Sequence, residues 1–294
     1  MLLGAIARAA SDGFSTHAWQ LPWATATFFS WHGYWHELAA TQESGLAAAR
    51  QLGDLAAQAE IHRYLGRARA QLGDYTEAIV QLTALMELGQ QLGSTITQAR
   101  AHIDLGRVYD LQGRDSDAAP HAEQALRLYH AAGHRPGAAV ALNAVGWSLT
   151  RLGRYQEAVD YIAQALAIHC ELGDQLGEAN TLDTLGYAYH LLGKPAEAID
   201  CYERTLDLYG ETGDRRSQAM TLTHLGDAHH AVGDGDAARR AWHRALDILD
   251  DLQHPDAGQL RSRLGLRPDG RGTGPGVAAA NGATSDSWSQ QPGR

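Results

Sequence analysis

The sequence predicts an all-α fold, a right-handed α-solenoid of helix pairs with a 40-residue period, and three observations predict it. Glycines and apolar residues recur in unbroken forty-residue register. Each unit carries two amphipathic helical patterns. Glycine and helix-starting residues punctuate the boundaries between them.

The register comes first, because a missed repeat miscalls the whole fold. Gly66, Gly106, Gly146, Gly186 and Gly226 form one series, and Gly73, Gly113, Gly153, Gly193 and Gly233 a second. Ala78, Ala118, Ala158, Ala198 and Ala238 make a third, Met86, Leu126, Leu166, Leu206 and Leu246 a fourth, and Leu65, Leu105, Val145, Leu185 and Leu225 a fifth. The two glycine series do different jobs. A glycine inside a helix costs about 1 kcal/mol relative to alanine, so Gly146, in the stretch NAVGWSLTRLGRYQEA at 143–158, is expected to let two helices approach closely beside Ala158. Gly153 is expected to be the turn, since glycine takes up the left-handed conformation that follows a helix C-terminus.

In chain order, residues 1–13 (MLLGAIARAASDG) read as a helix remnant, mildly apolar and without the basic segment of a signal peptide. Residues 14–53 read as a divergent capping repeat: Gly33 lies forty before Gly73, Gly53 closes the unit, and Trp19, Trp23 and Trp35 replace smaller residues. Five regular units fill 54–253. Their first helix has the pattern of TLDTLGYAYHLLG (181–193), and their second that of EAIDCYERTLDLY (197–209), where Ala198, Ile199, Tyr202, Leu206 and Leu208 fall on or near one face. Second helices open with Asp74 and Glu77 at capping-box spacing or with Pro195, and Gly93, Gly133, Gly173 and Gly213 close them. HPDAGQLRSRLGL (254–266) supplies a C-terminal capping helix, and 267–294, rich in glycine, proline, serine and alanine without periodicity, reads as a disordered tail.

Composition narrows the function classes. A formal charge of −10 disfavours broad attraction to nucleic acid or anionic membranes, and no run reaches the ~18–20 apolar residues of a membrane span. Cys170 and Cys201 stand without a C-x-x-C pattern, so neither a disulfide framework nor a zinc site is suggested, and a cytoplasmic location is expected. No enzyme and no cofactor is expected. Glu77, Glu157 and Glu197 recur at a helix-start position that a capping role explains, and Cys170 and His169, as helix neighbours, point about 100° apart. Of the fifteen histidines, His62 and His102 share one repeat position and His190 and His230 another. Equivalent positions in adjacent units lie roughly 10 Å apart, too far to share a metal ion. His62 and His102 fall where later units carry Leu142, Leu182 and Leu222, so they are expected to be partly buried and hydrogen-bonded.

A small residue at Gly146 after an apolar one, Gly153-Arg154-Tyr155-x-Glu157-Ala158, then Ala165-Leu166, resembles the tetratricopeptide repeat in a longer-helix form, since that repeat usually has thirty-four residues. More narrowly, HAWQLPWA at 17–24, LGYAYHLLG, LTHLGDAHHAVGD and RALDILDDLQHPDA resemble the C-terminal repeat region of AfsR/SARP-type nucleotide-switch transcriptional regulators of actinobacteria, over roughly residues 14–266. Those regulators carry a DNA-binding domain and a nucleotide-binding domain ahead of the repeats. Here there is no G-x-x-x-x-G-K-[ST] loop, so ATP or DNA chemistry is not carried over.

The resemblance implies a concave groove lined by first helices. Its expected residues are Glu60, Arg63 and Arg67; Arg100, Arg107 and Asp110; Asn143, Trp147 and Arg151; Asn180, Asp183, Tyr187 and His190; and Asp227 and His230. The groove is expected to run from basic, through an aromatic and amide centre, to acidic and histidine-bearing. It would hold an extended peptide or partner protein: Asn143 and Asn180 on the backbone, Trp147 and Tyr187 as apolar anchors, and Arg63, Arg67, Arg100 and Arg107 favouring acidic side chains. The expected role is a protein-interaction module of bacterial signalling or transcriptional regulation, with a transcriptional regulator among the candidate partners. The alternatives are a small-molecule-sensing repeat domain, which would need a closed apolar pocket, and an orphan fragment of a larger regulator. Oligomeric state stays open.

Overall fold

The computed structural model describes residues 4, 8, 14–254 and 256–266. The helix remnant expected at 1–13 lies almost wholly outside the described residues, and the tail expected at 267–294 lies entirely outside them. From Phe14 onward the described chain forms thirteen helices in tandem and no strand: α1 (Ser15–Trp31), α2 (Trp35–Gln51), α3 (Leu55–Gln71), α4 (Tyr75–Gln91), α5 (Thr95–Leu111), α6 (Asp115–Ala131), α7 (Arg135–Arg151), α8 (Tyr155–Leu172), α9 (Gln175–Leu191), α10 (Pro195–Thr212), α11 (Arg215–Ala231), α12 (Gly235–Asp251) and α13 (Asp256–Arg263). The first twelve start twenty residues apart, so a forty-residue repeat is two helices with their linkers.

The linkers explain why the period is so regular. Gly73 has φ +79°, and the chain closes the helix behind it with Gly73 N donating to Ala70 O (3.1 Å) and Asp74 N to Arg69 O (2.9 Å). Asp74 then caps the next helix by accepting from the Glu77 amide. Asp54, Ser94, Asp174, Asp214 and Asp234 cap α3, α5, α9, α11 and α12 in the same manner. Where Arg154 stands instead, its guanidinium reaches forward to Glu157 (2.6–2.8 Å). Linkers this short force neighbouring helices to run antiparallel.

The described chain divides into two compact units, one up to Ala141 and one from Leu142, the division falling inside α7. In the first unit, Ala78, Leu82, Leu85, Leu88, Ala101, Leu105 and Val108 form one core cluster, and Ala26, Phe29, Leu38, Leu65 and Ala68 anchor another. In the second, Ala198, Tyr202, Leu222, Leu225, Ala238, Trp242, Leu246 and Leu249 share a cluster that also buries Ala257 and Leu260 of α13. The small residues set the helix spacing. At Gly146 a Cβ would meet the Ile162 side chain and lie 3.2 Å from Ala158 O, so Ile162 fills the space that glycine leaves.

Candidate partner-binding site

In the second unit, Asn143, Trp147 and Arg151 follow one another at i, i+4, i+8 on α7, and Asp183 and Tyr187 at i, i+4 on α9, so each set shares a helix face. The faces meet through their rings. The Trp147 and Tyr187 ring centroids are 5.6 Å apart, Tyr187 lies 5.8 Å from His224 of α11, and His224 lies 5.6 Å from buried Tyr202. The Arg151 guanidinium sits 6.0 Å over Trp147. Three first helices thereby present one continuous aromatic ladder, which packs apolar area while leaving the polar groups around it to hydrogen-bond.

Those polar groups are unevenly satisfied. Asp183 Oδ1 accepts from Thr221 Oγ1 (2.8 Å) and from His224 Nδ1 (3.4 Å). Burial opposes a charged imidazole at His224, but the charge and hydrogen bond of Asp183, with Asp227 beyond, hold its pKa above the ordinary 6.5. Asp227 accepts from Trp242 Nε1 (3.0 Å) and from Arg263 Nη1 (2.5 Å), and the His230 ring lies 5.8 Å from Trp242. Asn180 Oδ1 accepts from Tyr209 (2.7 Å), which orients its carboxamide. By contrast, the buried Asn143 Oδ1 and His190 Nδ1 have no hydrogen-bond partner. An unmet buried acceptor costs roughly 1–3 kcal/mol, so Asn143 carries a standing demand for a donor.

The first unit holds the arginines, and it holds them paired. Arg63 Nε donates to Asp104 Oδ2 (2.9 Å), Arg67 Nε lies 3.8 Å from Asp104 Oδ1, and Arg100 Nη1 donates to Glu60 Oε1 (2.6 Å). Arg107 is exposed, and Asp110 is partly buried beside it on α5. The basic character expected of this row is thus reduced by two carboxylates, Asp104, which is only 4% exposed, facing Arg63 and Arg67, and Glu60 facing Arg100. Arg63–Asp104 and Asp183–His224 are the same two repeat positions three units apart, with acid and base exchanged.

Asp104, Thr221 and His224 went unseen as site residues in the sequence. One signal was there: Asp104 and His224 stand directly before Leu105 and Leu225 of the leucine series, where other units carry Tyr64, Ala144 and Thr184. Of the two histidines expected to be partly buried and hydrogen-bonded, His62 is buried with Nδ1 against Gln81 Oε1 (2.6 Å), and His102 is partly buried with Nδ1 against His121 Nδ1 (2.9 Å). Burial pushes the Cys201 thiol up to about 11, and burial with nearby Glu178 raises that of Cys170, so neither is primed as a nucleophile. Among the described residues, no group of three or more histidine, cysteine or acidic side chains could hold a metal ion, and no helix is long and apolar enough to cross a membrane.

Tandem helix pairs with glycine-closed linkers, presenting a face of first helices, define a helical-repeat protein. A tetratricopeptide repeat model matches residues 57–131 and 137–211, half of the chain, and a second matches 103–169. The chain belongs to the tetratricopeptide repeat family. No curated protein matches it significantly. Among solved structures, BtubC (BKLC) from P. vanneervenii is similar at TM-score 0.60 and 21% identity, over 83% of this chain and 97% of that one. Apo RapI is similar at TM-score 0.66 and 12% identity, over 86% and 93%. A Rap protein complexed with Competence and Sporulation Factor is similar at TM-score 0.65 and 13% identity, over 88% and 79%. At these identities the likeness concerns the fold.

Proposed function

We propose that the chain is a non-enzymatic protein-interaction module and that the first-helix face of its second unit binds an extended segment of a partner protein or peptide. One observation carries the reading: Asn143 Oδ1 is buried without a donor beside the Trp147–Tyr187 pair, a demand that a peptide N–H would meet. Asn180, oriented through its oxygen by Tyr209, offers its NH2 to a backbone carbonyl, and Trp147 and Tyr187 supply the apolar anchors. Asp183, His190, Asp227 and His230 flank the ladder toward α11. In the first unit, Arg107 is the exposed member of the arginine row, while Arg63, Arg67 and Arg100 would have to exchange an internal carboxylate for one from a partner. That a Rap protein of similar fold is found with Competence and Sporulation Factor supports a binding role for this architecture.

The setting we propose for the module is bacterial signalling or transcriptional control, a reading supported by the resemblance of 14–266 to the repeat region of AfsR/SARP-type regulators, and the two free cysteines agree with a cytoplasmic setting. The test is affinity capture from the native cytoplasm, with the wild type set against a folded Asn143→Ala/Trp147→Ala/Asn180→Ala variant. A partner held by the wild type and lost by the variant is the expected result. Retention of the same proteins by both forms would remove this face from the binding site.

A further inference from the structure

The outward faces of α10 and α12 differ in charge: α10 is acidic apart from Arg204, which pairs with Glu178, and α12 gathers its bases beside Asp236 and Asp247. On α10, Glu197, Asp200, Glu203 and Asp207 lie along one side of the helix, all exposed and without an ion-pair partner among the described residues, with Arg204 between them paired to Glu178. On α12, Arg239, Arg240, His243 and Arg244 are exposed around an open depression of about 550 Å³ that Asp236 also lines. Among the described residues only Arg239 of these bases is paired, with Asp236 (2.7 Å), and exposed Asp247 shares the same side one turn on. In repeat register, Arg240 stands where α10 has Asp200 and His243 where α10 has Glu203. Both helices turn their opposite sides into one core cluster, which holds Ala198 and Tyr202 of α10 and Ala238, Ala241 and Trp242 of α12, so the two stripes look outward together.

We infer that this acid-and-base surface is an interface for a second copy of the chain. The argument is charge complementarity. At a formal charge of −10 two copies repel at long range, and the α12 stripe is a cluster of unpaired bases set next to its own complement. A two-fold axis that lays α12 of each copy across α10 of the other brings Arg240 and Arg244 onto Asp200 and Glu203 twice over. Such an isologous contact closes on itself. Exposed ion pairs are individually weak and salt-screened, so the dimer is reversible and dissociates as ionic strength rises. This surface lies on second helices, apart from the aromatic ladder, so it stands or falls independently of the peptide-binding reading.

The experiment is sedimentation equilibrium of the full chain at low and high salt, comparing the wild type with Arg240→Glu/Arg244→Glu, with Asp200→Arg/Glu203→Arg, and with all four changes combined. The expected result is a salt-sensitive wild-type dimer, at least about tenfold weakening by either double substitution, and recovery to within about threefold in the combined variant. All four positions are exposed, so circular dichroism and melting temperature should match the wild type and separate lost association from lost folding. A wild type that stays monomeric at low salt would overturn the inference. So would double variants that dimerise as the wild type does, a combined variant that fails to recover, or a basic stripe that captures only acidic proteins other than this chain.

Discussion

His102 and His121 face each other through their Nδ1 atoms at 2.9 Å, an arrangement that accommodates one proton between two rings and resists a second. Burial, then the neighbouring imidazole and Arg127, holds His102 below the ordinary 6.5; burial holds His121 down against the charge of Asp117, with Tyr109 stacked 5.3 Å away. Burial lowers His62, His190 and His254 as well. A histidine with a lowered folded pKa contributes stability that is complete above about pH 6.5 and is lost as pH falls through the folded value. His224, raised by Asp183 and Asp227 against its burial, works in the opposite sense: its contribution is complete below 6.5 and is lost as pH rises through the raised value. Five lowered groups oppose one raised group, so the melting temperature should drop as pH goes from about 7.5 to about 5.5. His102→Leu, which installs the residue found at that position in later units, should flatten the drop; an unchanged slope would show that the pair does not titrate on folding. The pairing itself was not legible, because His121 lies on a second helix and nothing in its spacing points at His102.

At the scale of the element, the in-helix glycines separate into two kinds once their neighbours are known. Gly226 faces Trp242, whose indole occupies the space a Cβ would take, and Gly146 faces Ile162 in the same way. Gly106 is different: a Cβ there would find Ala118 O and His121 Cβ at 3.5 Å, ordinary contact, because the facing position is held by Ala122. Gly226→Ala should therefore cost about 1–3 kcal/mol of stability through overpacking, while Gly106→Ala should range from neutral to about 1 kcal/mol stabilising by removing a glycine from a helix interior. Urea unfolding of both variants checks this, and equal penalties would mean that backbone, not filler size, sets the spacing. The sequence marked the glycines as contact points. It did not mark the filler, which changes along the register from Leu82 through Ala122, Ile162 and Tyr202 to Trp242.

At the scale of the molecule, a repeat array must cover its terminal faces. In the second unit α13 does so by burying Ala257 and Leu260 beside Leu246 and Leu249, while Arg261 pairs with Asp250 and Arg263 with Asp227. Burial of one leucine is worth about 1.5–3 kcal/mol. Ending the chain after Gln253 should accordingly lower the melting temperature and expose apolar surface to a hydrophobic dye. A truncated chain that melts with the wild type would show that α13 does not act as a cap.

Helix count, linker positions and the forty-residue register were legible in the sequence because each depends on local chemistry: a left-handed glycine, a capping aspartate, an apolar stripe of helical period. The helix that carries each candidate residue was legible for the same reason, since a position in one repeat has its equivalents in the others; the role of those residues in binding stays a proposal. Their pairing was decided by tertiary structure alone. Arg63 and Arg67 were visible as bases, but only the packing of α3 against α5 put buried Asp104 between them, and only the stacking of α9 on α11 gave His224 to Asp183. Periodicity tells which way a side chain points. Which charge it meets there depends on residues forty positions away, and on the few ångströms by which small residues let the helices close.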